Sequence, residues 1–136
     1  MFNKIDHIGI AVHSIEASLP LYRDAFGLNY LGEDVVESQG VRVVFLEIGE
    51  SLIELLEPTR DDSPIAKFLA KNGEGIHHMA MGCDDIEAAR DQALQSSIRL
   101  LSDGPIDGAH GKLITFAHPK DTGRVLIEFT QRKSES

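Results

Sequence analysis

The sequence predicts an α+β fold of two tandem βαβββ modules, related by a pseudo-twofold axis and sharing a curved mixed sheet. Three observations predict it. Residues 7–16, His-Ile-Gly-Ile-Ala-Val-His-Ser-Ile-Glu, recur at 78–87 as His-Met-Ala-Met-Gly-Cys-Asp-Asp-Ile-Glu, so His7 falls on His78 and Glu16 on Glu87, about half the chain apart. Each copy alternates with period two, the signature of a strand. Each is then followed by apolar residues at helical spacing and by short strand-like runs between turn residues.

The alternation also says what each first strand faces. One side of the first copy carries Ile8, Ile10 and Val12, and the other carries His7, Gly9 and Ala11. In the second copy Met79, Met81 and Cys83 oppose His78, Ala80 and Gly82. A histidine followed on its own face by two small residues suits a strand that packs on a helix with one face and lines a cavity with the other.

At 136 residues the chain is long enough to bury a core. Module one is expected over about 1–57, a linker helix over about 58–74 and module two over about 75–132. A hydrophobic content of 42% with 26% charged residues is ordinary for a globular chain. No apolar run has the length of a membrane span, and the start Met-Phe-Asn-Lys-Ile-Asp-His has neither an apolar stretch nor a cleavage site, so a cytoplasmic location is the default expectation. A formal net charge of −9 argues against nucleic acid or an anionic membrane as a partner. Cys83 is the single cysteine, which excludes an intrachain disulfide, and its place on the helix-facing side makes it a small buried hydrophobe.

In chain order, residues 3–13 form the first strand, and Ser14 caps a helix over 15–26. Ile15, Leu19, Tyr22 and Phe26 share one face of that helix, and Gly27 stops it. Pro20 falls inside the helix and predicts a local break in its hydrogen bonding. Strands at about 29–37, 40–48 and 51–57 follow, separated by Ser-Gln-Gly and Gly-Glu-Ser turns. The linker helix has Ser63 as its cap, Pro64 in its first turn and Asn72-Gly73 as its end. Module two repeats the order with a strand over 75–83 and a helix over 85–96 capped by Asp84 or Asp85. Strands near 98–102, 112–117 and 123–131 complete it, with Asp-Thr-Gly at 121–123 turning the last hairpin and a disordered tail from Arg132.

The fourth strand of each module places a glutamate among apolar residues. Glu54 stands between Ile53 and Leu55, and Glu128 between Ile127 and Phe129. A carboxylate is rarely buried without a partner. A lone strand histidine is ordinarily a hydrogen-bonded core residue, and a lone Glu54 could face solvent on an exposed sheet. The repetition of both residues at matching places is what singles them out. If the first and fourth strands of each module are neighbours, His7, Glu54, His78 and Glu128 converge. Two imidazoles and two carboxylates suit Co, Mn, Ni, Fe or Zn as a divalent ion, and four ligands on an octahedral ion leave two positions for a substrate. Of the other histidines, His77 and His13 read as structural or surface residues. His110 and His118 lie in or beside loops that could close over a ligand. Lys112, Lys120 and Arg124 read as a solvated rim that could meet phosphates.

These motifs resemble the vicinal oxygen chelate superfamily and, within it, the methylmalonyl-CoA epimerase family over almost the whole chain. The resemblance is carried by Ile-Asp-His-Ile-Gly-Ile-Ala-Val at 5–12, Glu-Leu-Leu-Glu-Pro at 54–58, Asp-Ser-Pro-Ile-Ala-Lys-Phe-Leu at 62–69, Gly-Ile-His-His-Met-Ala at 75–80, and Gly-Ala-His-Gly-Lys with Phe-Ala-His-Pro-Lys at 108–120. It implies that His7, His78 and Glu128 bind the metal, with Glu54 at the fourth position, where some relatives carry glutamine. It further implies Co2+ as the favoured ion, with Mn2+, Ni2+ or Zn2+ as alternatives, an acyl-CoA substrate and a homodimer. A glutamate that some of these enzymes carry in the third strand falls at Val43 here.

The reaction that the resemblance implies is interconversion of (2R)- and (2S)-methylmalonyl-CoA by abstraction of the α-proton through a metal-stabilised enolate. Glu128 is the preferred base. Glu54, Glu47 or a metal-bound water supplies the second. The rival readings are a lactoylglutathione lyase (glyoxalase I) type proton transfer, a dioxygenase, and a metal-free small-molecule-binding module.

Overall fold

The structure, a computed structural model, describes residues 1–132. It is an α+β fold whose described residues divide into two compact units: His7–His77, and Met1–Asp6 together with the chain from His78 onward. The elements in order are β1 (Phe2–Ala11), α1 (Ile15–Leu19), β2 (Asn29–Val36), β3 (Val41–Ile48), β4 (Ser51–Pro58), α2 (Pro64–Asn72), β5 (Gly75–Cys83), α3 (Ile86–Gln95), β6 (Ile106–Asp107), β7 (Lys112–Phe116) and β8 (Ile127–Arg132). Among the described residues, no helix is long and apolar enough to cross a membrane.

In the unit His7–His77 the strand order is β2-β3-β4-β1. β1 runs parallel to β4, with Gly9 beside Glu54 and Ala11 beside Leu56. β4 and β3 are antiparallel, with Phe45 beside Glu54. Period two then assigns the faces. Ile10, Val12, Val44, Leu46, Ile53 and Leu55 pack against Ile15, Leu19 and Tyr22 of the helical segment. Full burial of Ile15, Val44, Leu46 and Leu55 contributes about 1.5–3 kcal/mol for each side chain. The opposite face is left to His7, Gly9, Ala11, Phe45 and Glu54.

Ser14 caps α1 by accepting a hydrogen bond from the Ala17 amide at 3.2 Å. The expected single helix over 15–26 divides at Pro20, which has no N–H to donate and crowds the carbonyl four residues back. The segment Pro20–Ala25 continues as a π-helix, and the Phe26 amide donates to the Leu21 carbonyl at 2.9 Å. Phe26 still meets the Tyr22 ring edge to face at 6.1 Å between centroids, but it is 64% exposed rather than buried. α2 follows the expected signals. Ser63 accepts from the Ala66 amide at 3.0 Å, Pro64 opens the helix, and Gly73 ends it at φ +76°.

In the second unit Phe2–Asp6 of β1 lie beside β5, and the order continues β8-β7-β6. β5 runs parallel to β8, with Ala80 beside Glu128 and Gly82 beside Thr130. β7 is antiparallel to β8, with Phe116 beside Glu128. Cys83, Ile86, Ala89, Ala93, Ala117 and Phe129 form the core under α3. Asp85, one of the two expected caps, accepts from the Ala88 amide at 3.1 Å.

Two elements of this unit differ from the sequence expectation. Residues 98–102 form only an isolated bridge, Leu100 with Ala117, and the short strand β6 comes later. Ser-Asp-Gly-Pro at 102–105 explains the shift, since glycine and proline interrupt a ladder. β8 begins at Ile127, not 123, because the 3-10 turn Pro119–Asp121 extends through Arg124 (φ +69°), whose amide donates to the Pro119 carbonyl at 2.8 Å. Arg132 belongs to β8, and the expected tail beyond it lies outside the described residues.

Candidate functional site

Each unit brings one histidine and one glutamate together. In the first, His7 Nδ1 lies 3.1 Å from Glu54 Oε2, and both residues are buried. In the second, His78 Nε2 lies 3.5 Å from Glu128 Oε1, again with both buried. The cause is local and the same twice. A parallel ladder sets the first strand of each module against the fourth, and the residue directly beside each glutamate is Gly9 or Ala80. A side chain that small leaves room for the carboxylate to reach the histidine two positions earlier on the same face. On the other side each glutamate is flanked by a phenylalanine, Phe45 for Glu54 and Phe116 for Glu128. The His78 imidazole meets Phe116 edge to face at 5.9 Å between centroids.

The repeat also reaches the helix ends. Three residues after Glu54, the Glu57 carboxylate accepts from the Ile15 amide at 2.8 Å; three residues after Glu128, the Gln131 side-chain oxygen accepts from the Ile86 amide at 2.7 Å. Each module's fourth strand therefore carries the candidate ligand and, one turn of pleat further, a group that satisfies an otherwise orphaned donor at the start of the helix behind it.

A pair of buried imidazole nitrogen and carboxylate oxygen is the donor chemistry of a first-row divalent ion. The carboxylates lie in apolar settings, where an unneutralised charge is costly. The residues present fit a metal.

The remaining candidates fall into different places. His77 packs edge to face on Phe68 of α2 at 5.1 Å, and burial pushes its imidazole down to about 4, so it is neutral near pH 7. His13 is exposed, and its amide donates to Glu74 at 2.8 Å. His110 is exposed with φ +54°, and His118 Nδ1 accepts from the Lys120 amide at 3.2 Å. Glu47 is exposed at the end of β3, where the Asn29 side chain donates to it at 3.2 Å. Val43 is buried.

Lys112 corrects the expectation of a solvated rim. It is buried, and its Nζ donates to the Asp6 carboxylate at 2.8 Å. Lys120 and Arg124 are exposed, as a rim requires. The signal for the pair was present in the sequence: Asp6 stands between Ile5 and His7 at the centre of a strand, and Lys112 opens the apolar run Leu-Ile-Thr-Phe. A charged residue inside each of two apolar strands is the same argument that singled out Glu54 and Glu128.

Comparison with known proteins agrees with this arrangement. The model of the Glyoxalase/Bleomycin resistance protein/Dioxygenase superfamily matches residues 6–116. The ethylmalonyl-CoA/methylmalonyl-CoA epimerase of Cereibacter sphaeroides is 41% identical over 133 residues, covering 96% of this chain and 99% of its own. The mitochondrial methylmalonyl-CoA epimerase of Homo sapiens is 40% identical over 129 residues, covering 94% of this chain and 73% of its own. Among solved structures, a methylmalonyl-CoA epimerase in complex with methylmalonyl-CoA and NH4+ superposes with a TM-score of 0.94 at 43% identity, covering 98% and 97% of the two chains. A variant of the Streptomyces coelicolor methylmalonyl-CoA epimerase in complex with 2-nitronate-propionyl-CoA gives the same TM-score of 0.94 and 43% identity, covering 98% and 100%. The chain belongs to the glyoxalase/bleomycin resistance protein/dioxygenase superfamily and, within it, to the methylmalonyl-CoA epimerase family.

Proposed function

We infer that the protein is a methylmalonyl-CoA epimerase, interconverting the (2R) and (2S) forms by removing the α-proton and returning it to the other face. The observation that carries this reading is the twice-built buried His–Glu pair, at 3.1 and 3.5 Å, in a chain about 40% identical to such epimerases over nearly all its length. The glyoxalase-type, dioxygenase and metal-free readings have no comparable support among these relatives.

His7, Glu54, His78 and Glu128 together hold one divalent ion, with Co2+ the favoured metal. When bound, the ion supplies Lewis-acid stabilisation of the charge that develops on the substrate oxygens. The Glu128 carboxylate takes the α-proton. Its burial on the face shared with Phe116 keeps water from competing for that proton. Glu54, its counterpart in the internal repeat, returns a proton from the other side, and Glu47 is the reserve for that role. Gly9 and Ala80 leave space in front of the two carboxylates for the acyl group. The enzyme acts as a cytoplasmic homodimer.

Proton NMR of methylmalonyl-CoA in D2O tests the reading. Metal-stripped protein leaves the α-proton signal intact, and resupplied Co2+ erases it. Glu128→Gln keeps the signal despite added metal. Full exchange by Glu128→Gln, or none by the metal-loaded wild type, overturns the assignment.

A further inference from the structure

The offset that sets His7 on His78, 71 residues, also sets Leu19 on Arg90 and Phe45 on Phe116. The first of these replacements runs against burial. Leu19 packs on the core of the first unit, whereas Arg90 stands on the buried side of α3 with Ile86, Ala89 and Ala93 and is only 7% exposed. A guanidinium seldom takes such a place without partners. Its Nη2 donates to the Ser102 carbonyl at 3.1 Å, and its Nη1 lies 3.6 Å from Glu87, whose side chain is 64% exposed. Its Nε has no hydrogen-bond partner among the described residues. Packing of α3 alone therefore does not explain the arginine, since a leucine would bury no polar atom there.

The bond to Ser102 gains its meaning from a difference between the units. In the first, β2 pairs with β3 along its length, Gly32 stands beside Phe45, and Phe45 is 1% exposed. In the second, β6 covers only Leu113 and Ile114 of β7 and stops short of Phe116. The irregular segment around Ser102 takes its place. The Leu101 amide donates to the Phe116 carbonyl at 2.9 Å, and Leu100 bridges to Ala117. Ser102 Oγ donates to the Gly104 carbonyl at 2.7 Å and lies 3.3 Å from Oγ1 of the fully buried Thr115. A segment held by so few bonds opens easily unless it is anchored, and Arg90 anchors it to a helix.

This support reaches the site at Phe116. That residue stands beside Glu128, and its ring meets the His78 imidazole edge to face at 5.9 Å between centroids. We infer that Arg90 is a positioning residue: through Ser102 and Leu101 it holds the outer edge of β7, and with it the Phe116 ring that orients His78 beside Glu128. The inference rests on the epimerase reading above. A Phe116 set loose lets the imidazole swing, and a misplacement of about 1 Å at a reacting centre costs about 100-fold in rate.

Arg90→Leu, which restores the residue of the first module, separates positioning from stability. Its Tm should equal or exceed that of wild type, because it removes a buried donor that no described residue satisfies and leaves the half-buried Ser102 carbonyl to water. Exchange of the α-proton of methylmalonyl-CoA in D2O should nonetheless fall about tenfold in kcat, with KM within about twofold of wild type. Phe116→Leu should show the same loss, and Arg90→Leu/Phe116→Leu no more than either alone, because both act through one ring. In metal-free protein the ring-carbon NMR signal of His78 should shift in Arg90→Leu, while that of the exposed His13 stays. A wild-type kcat for Arg90→Leu, a Tm that falls in step with kcat, multiplicative losses in the double variant, or an unmoved His78 signal overturns the inference while exchange by wild type still stands. A metal-loaded wild type that exchanges no α-proton overturns the epimerase reading itself, and the inference with it.

Discussion

Asp6 and Lys112 form a buried ion pair at 2.8 Å, with side chains 5% and 8% exposed. It fastens the middle of β1, one residue before His7, to the opening of β7. Removing one partner strands the other charge away from water, which costs about 3–5 kcal/mol, whereas replacing both with apolar residues of similar size is close to neutral. Lys112→Met should therefore lower unfolding stability by that amount in urea titration, and Asp6→Leu/Lys112→Met should recover most of it. A single variant as stable as wild type would show the pair to be solvated.

Metal binding to the folded chain alone should raise its stability by mass action. At a free Co2+ concentration of 100 times Kd the gain is about 2.7 kcal/mol, read as a rise in Tm that a chelator reverses. His7→Ala and His78→Ala should each abolish the rise. Glu54→Gln should weaken it without removing it, because an amide oxygen still ligates. A metal-induced rise retained in both histidine variants would exclude them as ligands.

Gly40 has φ +62°, and a Cβ there would lie 2.9 Å from both Arg60 Cζ and Ser63 Cβ. The Arg60 guanidinium is held in place by the Glu37 carbonyl at 2.6 Å, and Ser63 by its capping bond to Ala66. Neither can retreat without losing a hydrogen bond. Gly40→Ala should cost about 2–3 kcal/mol, from left-handed strain together with overpacking. Equilibrium unfolding measures it, and a cost below about 1 kcal/mol would mean that the loop yields.

The Arg99 guanidinium grips Asp121 at 2.9 and 3.0 Å and the Arg99 amide adds a bond at 2.9 Å, which together hold the Asp121 carboxyl down to about 2. A carboxyl whose pKa is lower in the folded state contributes its stability above the unfolded value of 3.8, and loses it as pH falls from there towards about 2. Acid unfolding of wild type should show this loss in that window, and Asp121→Asn should be flatter across it. Carbon NMR titration of Asp121 gives the direct check, and a midpoint at the ordinary value would remove the effect.

Much of the fold and the two pairs could be read from order and period alone. Gly9 and Ala80, small and on the same face as His7 and His78, mark where a neighbouring carboxylate fits, and Glu54 and Glu128 betray themselves by standing in apolar runs. Caps are short-range, so Ser14, Ser63 and Asp85 announce their helices within three residues.

The tertiary structure alone decided what depends on partners far along the chain. Lys112 stands out as a charge at the head of an apolar run, but its partner Asp6 lies 106 positions away and only the packed chain brings the two together. Phe26 keeps helical spacing in sequence and its ring contact with Tyr22, yet it ends the π-helical segment after Pro20 largely exposed. Arg90 falls on Leu19 in the repeat, but that its guanidinium is buried and reaches Ser102 is settled only by what surrounds it. Local chemistry and periodicity act over a few residues and survive in the sequence, whereas burial and pairing are sums over neighbours that only the packed chain brings together.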